Sequence, residues 1–126
     1  MEYQSNVPVG IQVIRVGAVY ALQLESNSSH PLLEPGDDVL VVDGGPEVTV
    51  LVESGDSSAS VERVEAQPAN GSPGVTFTAS GGVFTGEFPV PVEREWQWNV
   101  EITVELEGGQ AHFRLDPRLI VRKSYR

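Results

Sequence analysis

Two histidines, eighteen carboxylates and no cysteine are what this 126-residue chain offers for catalysis. His30 and His112 stand far apart in sequence, and an imidazole site needs convergent ligands and a second shell to hold them. His112 is better placed on an exposed strand face beside Glu105. Asp37, Asp38 and Asp43 bracket a short strand and could offer oxygens to calcium. They lack the alternating spacing and closing bidentate glutamate of a calcium loop, so turn roles suit them better. Gly55-Asp56-Ser57 has a nucleophile-loop look without the strand–turn–helix context or a histidine partner. Glycines 81, 82 and 86 match no phosphate-cradling fingerprint. Glu93, Glu95, Glu101, Glu105 and Glu107 suggest a glycosidase pair only until one asks what would split their pKa values; nothing nearby does. The expectation is a non-enzyme with no cofactor and no metal. One binding alternative stands: Trp96 and Trp98 share a strand face and could form an aromatic platform for sugar rings, although they also continue an apolar face that suits a core.

The elements that would position these residues are strands. Apolar residues recur at period two, and 13 glycines and 9 prolines leave no breaker-free window of helical period. The strongest signal is 95–107, where Trp96, Trp98, Val100, Ile102, Val104 and Leu106 take every even position and polar residues every odd one. Gly108-Gly109 supplies a two-residue hairpin turn and fixes the register with Glu107 opposite Gln110. Carried onward, that register sets Val104 opposite Phe113, Ile102 opposite Leu115, Glu105 opposite His112 and Thr103 opposite Arg114.

Upstream, 10–24 is expected to be one long element with Ile14, Val16, Ala18, Tyr20, Leu22 and Leu24 on one face and a bend or bulge at Gly17. Val39–Asp43 and Glu47–Glu53, joined by Gly44-Gly45-Pro46, read as a hairpin. The stretch 54–60 is expected to be a mobile loop, followed by a weak strand at 61–66 and a second loop at 67–74. Pro89 and Pro91 place 83–92 at a sheet edge. A last strand runs over 118–121. Seven to eight strands at this spacing predict a single all-β domain: an antiparallel two-sheet sandwich of immunoglobulin-like size, with a small β-barrel as the alternative. A short amino-terminal arm (1–9) and a basic carboxyl-terminal tail (122–126) flank it.

Charge narrows the partners. The net charge of −10 disfavours nucleic acid phosphates and anionic membranes. No apolar run approaches the roughly 20 residues of a bilayer span, and the first residues lack the basic and apolar regions of a secretory signal. The charge is also segregated. Residues 114–126 hold Arg114, Arg118, Arg122, Lys123 and Arg126 against Asp116, net +4; residues 1–113 hold three cations against seventeen acids, net −14. Such an end can dock on an acidic protein or on a neighbouring copy, which makes Arg114, Arg118, Arg122, Lys123, Tyr125 and Arg126 the candidate interface.

The segments Gly82-Val-Phe-Thr-Gly-Glu-Phe, Trp96-Gln-Trp-Asn-Val-Glu-Ile-Thr-Val, Glu107-Gly-Gly-Gln and Arg118-Leu-Ile-Val resemble small β-sandwich proteins of tailed-phage virions. The resemblance covers the carboxyl-terminal third and implies a capsid, neck, tail or decoration component that acts through protein–protein contacts, as a homo-oligomer or in a larger assembly. It implies a place in the virion; the alternative is a secreted or extracytoplasmic module without a visible signal peptide. The same third also resembles immunoglobulin-like copper-accessory domains of bacterial envelopes, whose exporting signal and Met/His ligands have no counterpart here. A ligand- or carbohydrate-binding sandwich is the second functional expectation.

Overall fold

The computed structural model describes residues 2–4, 9–17, 19–25, 32–33, 38–43, 46–92, 95–106, 112–115 and 117–123. Among them every regular element is a strand: β1 (Glu2–Gln4), β2 (Val9–Val16), β3 (Val19–Glu25), β4 (Leu32–Leu33), β5 (Asp38–Asp43), β6 (Glu47–Ser54), β7 (Ala59–Ala69), β8 (Thr78–Ser80), β9 (Val83–Pro89), β10 (Trp96–Leu106), β11 (His112–Leu115) and β12 (Arg118–Lys123). They form two sheets. The front sheet runs β1-β5-β12-β10-β11 with β7 on the other edge of β10, and the back sheet runs β4-β3-β2-β6-β9-β8. The chain is thus an all-β sandwich, and two separate sheets replace the barrel alternative. Eight strands of six residues or more carry the core. Of the four short ones, β1, β4 and β8 are sheet edges and β11 lies end to end with β12.

A single core fills the space between the sheets. Among the described residues eighteen apolar side chains are buried in it, and eleven are valines, whose branched Cβ packs well on a pleated surface. Trp98 is the largest, fully buried with its ring edge on Phe88 at a centroid distance of 4.9 Å. Its indole Nε1 donates to the Pro73 carbonyl at 2.8 Å, so the one polar atom of the side chain is satisfied. Phe77 meets Phe88 at 5.6 Å and Trp96 meets Trp98 at 6.4 Å, both edge-on, giving an aromatic row across the sandwich. Phe77 also lies over Gly86, where an added Cβ would be 2.9 Å from its ring.

The β10 hairpin has the register that its alternation and Gly-Gly turn predict: Ile102 opposite Leu115, Thr103 opposite Arg114, Val104 opposite Phe113 and Glu105 opposite His112. Residues 107–111 lie outside the described residues. The same register continues into β12, with Trp98 opposite Leu119 and Trp96 opposite Val121. At the break, the Val100 N–H donates to the Pro117 carbonyl at 3.0 Å, while Pro117 has no N–H to return.

Several expectations are corrected. The element over 10–24 is two strands, with Val16 opposite Val19 and Gly17 in the turn at φ 63°. Because the turn pairs odd with even positions, the inward set is Val9, Ile11 and Val13 on β2 and Leu22 on β3, not Ile14. Val39–Asp43 and Glu47–Glu53 are not a hairpin: β5 pairs β12 and β1 in front, while β6 pairs β2 and β9 behind. Both face the same core from opposite sides, and alternation alone does not separate a hairpin from a sheet switch.

Three pairings, β1–β5, β5–β12 and β2–β6, are parallel, so the sandwich is mixed and not purely antiparallel. The described residues of the arm at 1–9 belong to the fold. Glu2–Gln4 pairs with β5, and Val9 is a fully buried residue of β2. The tail does not begin at 122 either, because Arg122 and Lys123 remain in β12, opposite Val42 and Asp43.

The weak strand at 61–66 is the eleven-residue β7. A bulge at Glu62 changes its phase, so that Ala59 and Val61 on one side and Val64 and Ala66 on the other all face β10's apolar residues. That phase change hides the strand from a period-two search. On its other edge β7 carries, among the described residues, the single bridge Ala66–Val75, and the bulge together with Pro68 suits an edge strand.

Candidate functional site

The interior strand β12 brings two of the predicted interface residues to one surface. Leu119 and Val121 point into the core and are buried, so the pleat turns Arg118, Ile120 and Arg122 outward. Both arginines are exposed and Ile120 is half-buried. Arg118 stands opposite Asn99 on β10 and Asp38 on β5; Ile120 stands opposite Gln97 and Leu40. Arg114 occupies the outward row of Thr103 by register. Lys123 ends β12. Tyr125 and Arg126 lie outside the described residues. Arg118 and Arg122 therefore form a stripe along the outer face of the front sheet, where Arg63 of β7 also lies, paired to Glu65 at 3.0 Å.

On the outer face of the back sheet lies a row of the opposite sign to the β12 stripe. Glu47 and Glu53 of β6 and Glu87 of β9 alternate with the buried Val48, Val50, Val52 and Phe88. Thr49 Oγ1 donates to Glu87 Oε2 at 2.7 Å, and Gln12 Nε2 donates to Glu53 Oε1 at 3.2 Å, holding both carboxylates against the sheet. Of the described cationic side chains, Arg63, Arg118 and Arg122 are on the front face, and Arg15 is on the inward-phase row of β2 near its turn. Sequence reading missed this acidic face because each glutamate is an ordinary solvent-side residue of its own strand; only the pairing gathers them.

The tryptophan platform fails on burial. Trp98 is 0% exposed, which removes it from any ligand-stacking role. Trp96 is half-buried against Trp98, and its Nε1 is buried without a hydrogen-bond partner. Its neighbourhood is closed by the loop after β7. The Asn70 amide donates to the Glu95 carbonyl at 3.1 Å and accepts from the Gln97 N–H at 3.0 Å, and the Ser72 hydroxyl reaches the Gln97 carbonyl at 2.6 Å. Asn70 and Gly71 hold positive φ of 43° and 79°, the tight turn that brings these side chains to β10.

The stretch at 54–60 is a tied turn, not a mobile loop. Gly55 N–H donates to the Val13 carbonyl at 2.7 Å, and the Ser54 hydroxyl lies 2.7 Å from the Ala59 carbonyl. Asp56 Oδ1 accepts from the Ser58 hydroxyl and, at 2.8 Å, from the Ser58 N–H. With its own proton given to Asp56, Ser58 Oγ accepts from the Tyr20 hydroxyl at 2.7 Å. The Ser58 hydroxyl and N–H, with a smaller contribution from Arg15, hold the Asp56 carboxyl below the usual carboxylate range. A carboxylate made less basic is a poor proton acceptor for a serine, so this chain of hydroxyls stabilises a turn and does not activate a nucleophile.

Glu101 and Glu105 lie half-buried on the outer face of β10, and Glu95 is exposed. His30, Asp37, Glu93 and Glu107 lie outside the described residues. Among the described residues, no group of three or more His, Asp or Glu side chains is placed to hold a metal ion, and no helix is long and apolar enough to cross a membrane. No family model matches the chain, and no curated protein is similar to it.

Proposed function

We propose that this chain is a non-enzymatic structural component that works by protein–protein contact within a larger assembly, of the virion kind that its carboxyl-terminal third resembles. The observation that carries the reading is the placement of Arg118 and Arg122, exposed on an interior strand of the front sheet in a chain whose net charge is −10. Interior strands need outward residues only to be compatible with water, and two arginines there make a directed, stiffly mounted cationic stripe. Mounted on a sheet, such charges orient and speed docking more than they add affinity.

The sandwich supplies the rest of what a shell component needs: a core closed on itself, two broad faces and edges guarded by short strands, a bulge and a proline. The carbohydrate alternative loses its two-ring platform once Trp98 is in the core. Sedimentation velocity of the full chain over a range of concentrations tests the proposal. Species larger than the monomer, weakened as salt rises, are the expected result. A monomer at every concentration that binds glycans would overturn it.

A further inference from the structure

The outward row of β12 and the acidic row of β6 and β9 are complementary in spacing as well as in sign, although Glu101 and Glu105 of β10 share the front face with the arginines. Arg118 and Arg122 are four residues apart on one strand, about 13 Å, with Ile120 midway. On the back sheet, Glu87 stands beside Thr49, Glu53 lies four residues beyond Thr49, again about 13 Å, and Leu51 is midway. Ile120 and Leu51 are both half-buried. Cation, aliphatic, cation on one face thus faces acid, aliphatic, acid on the other, with the acid row shifted by one strand at one end.

We infer that the occupant of the front-face stripe is the back face of a second copy of this chain, which rests on the proposed assembly role. Stacking two back faces sets glutamates against glutamates and is repulsive. Stacking front on back seats Ile120 over Leu51 and places the two arginines over Glu53 and Glu87. A contact between two different patches is heterologous: the pair keeps one unused face of each kind, so association continues into a ring or a column instead of stopping at a dimer.

Two charge-reversed variants of the full chain test this. Arg118→Glu with Arg122→Glu makes both rows acidic; Glu53→Lys with Glu87→Lys makes both rows cationic. Each variant alone should lose self-association by about ten-fold or more while its melting temperature stays near that of the unaltered chain, because all four positions face outward. Mixed in equal amounts, the two should associate again, since every front face then meets a back face of opposite sign. Sedimentation velocity at low and physiological salt reads all three samples. Self-association retained by the Glu53/Glu87 variant would mean that front faces pair with each other, and a mixture that fails to recover would equally overturn the inference. An unaltered chain that assembles while neither variant changes its size would overturn the face assignment and leave the assembly reading standing. An unaltered chain that never leaves the monomer would overturn both.

Discussion

Along β12 the outward residues are Arg118, Ile120 and Arg122; along β6 they are Thr49, Leu51 and Glu53, with Glu87 beside Thr49 on β9. The inward residues of the same strands are Leu119 and Val121 in front and Val48, Val50 and Val52 behind, interchangeable in kind. The fold therefore constrains one side of each strand and leaves the other free. Neither the arginines nor the glutamates are required by the sandwich. Their segregation becomes spatial because β11 and β12, which carry most of the basic end, are both laid along β10 in the front sheet.

If the sheets are equivalent inside and different only outside, inward changes should be equally severe in both. Ile102→Asp in front and Val50→Asp behind each bury an unpaired carboxylate at a site that is 0% exposed. Each should cost several kcal/mol, comparable to the whole stability of a domain this size. Both should fail to give a cooperative melt, and a folded Val50→Asp would break the equivalence. A smaller effect is expected from Gly86→Ala, whose new Cβ must push the Phe77 ring away from the back sheet. A loss of about 1–3 kcal/mol in a denaturant melt is the outcome for such overpacking.

Ser72→Ala removes a hydroxyl shared between the Ala69 and Gln97 carbonyls, at 2.8 and 2.6 Å, and should cost about 1 kcal/mol. The Asp56 turn gives a pH dependence of known sign. Its carboxyl is lowered on folding, so the contribution is present above the usual carboxylate range and disappears as pH falls through the lowered value. The protection factor of the Ser58 amide, taken relative to its intrinsic exchange rate at each pH, should fall on acidification below about pH 4, the region of unperturbed carboxylates, and Asp56→Asn should remove most of that dependence. Smallest of all, Glu101→Ala on the outer face of β10 should shift stability by no more than about 0.5 kcal/mol.

The parts of the fold that could be read in advance are those where local chemistry decides the pairing. Gly108-Gly109 and the unbroken alternation of β10 left only one register that matched apolar with apolar, and β11 takes it. Where alternation has two equally good structural meanings, it misled. Gly17 could mark a bend or a turn, and only the turn reverses which parity faces inward. Gly44-Gly45-Pro46 could join two strands of one sheet or carry the chain to the other.

The bulge at Glu62 erased the periodicity of the longest edge strand, and the three parallel pairings join segments distant in sequence, which leave no local mark. At the candidate site, the cationic half was legible because its residues are close in sequence. The acidic half was not, since Glu53 and Glu87 come from strands 34 residues apart that meet only through the β6–β9 register.

The contact between unlike faces can be measured most directly by a cross-link, because the chain contains no cysteine of its own. Ile120→Cys places a single thiol at the centre of the front stripe, and Leu51→Cys places one at the centre of the acidic face. A disulfide requires the two Cβ atoms to approach within about 4.5 Å. Mild oxidation of the two variants mixed together should give a disulfide-linked pair that contains one of each, with little product from either alone. Ile120→Cys that cross-links to itself as readily as to Leu51→Cys would contradict the account.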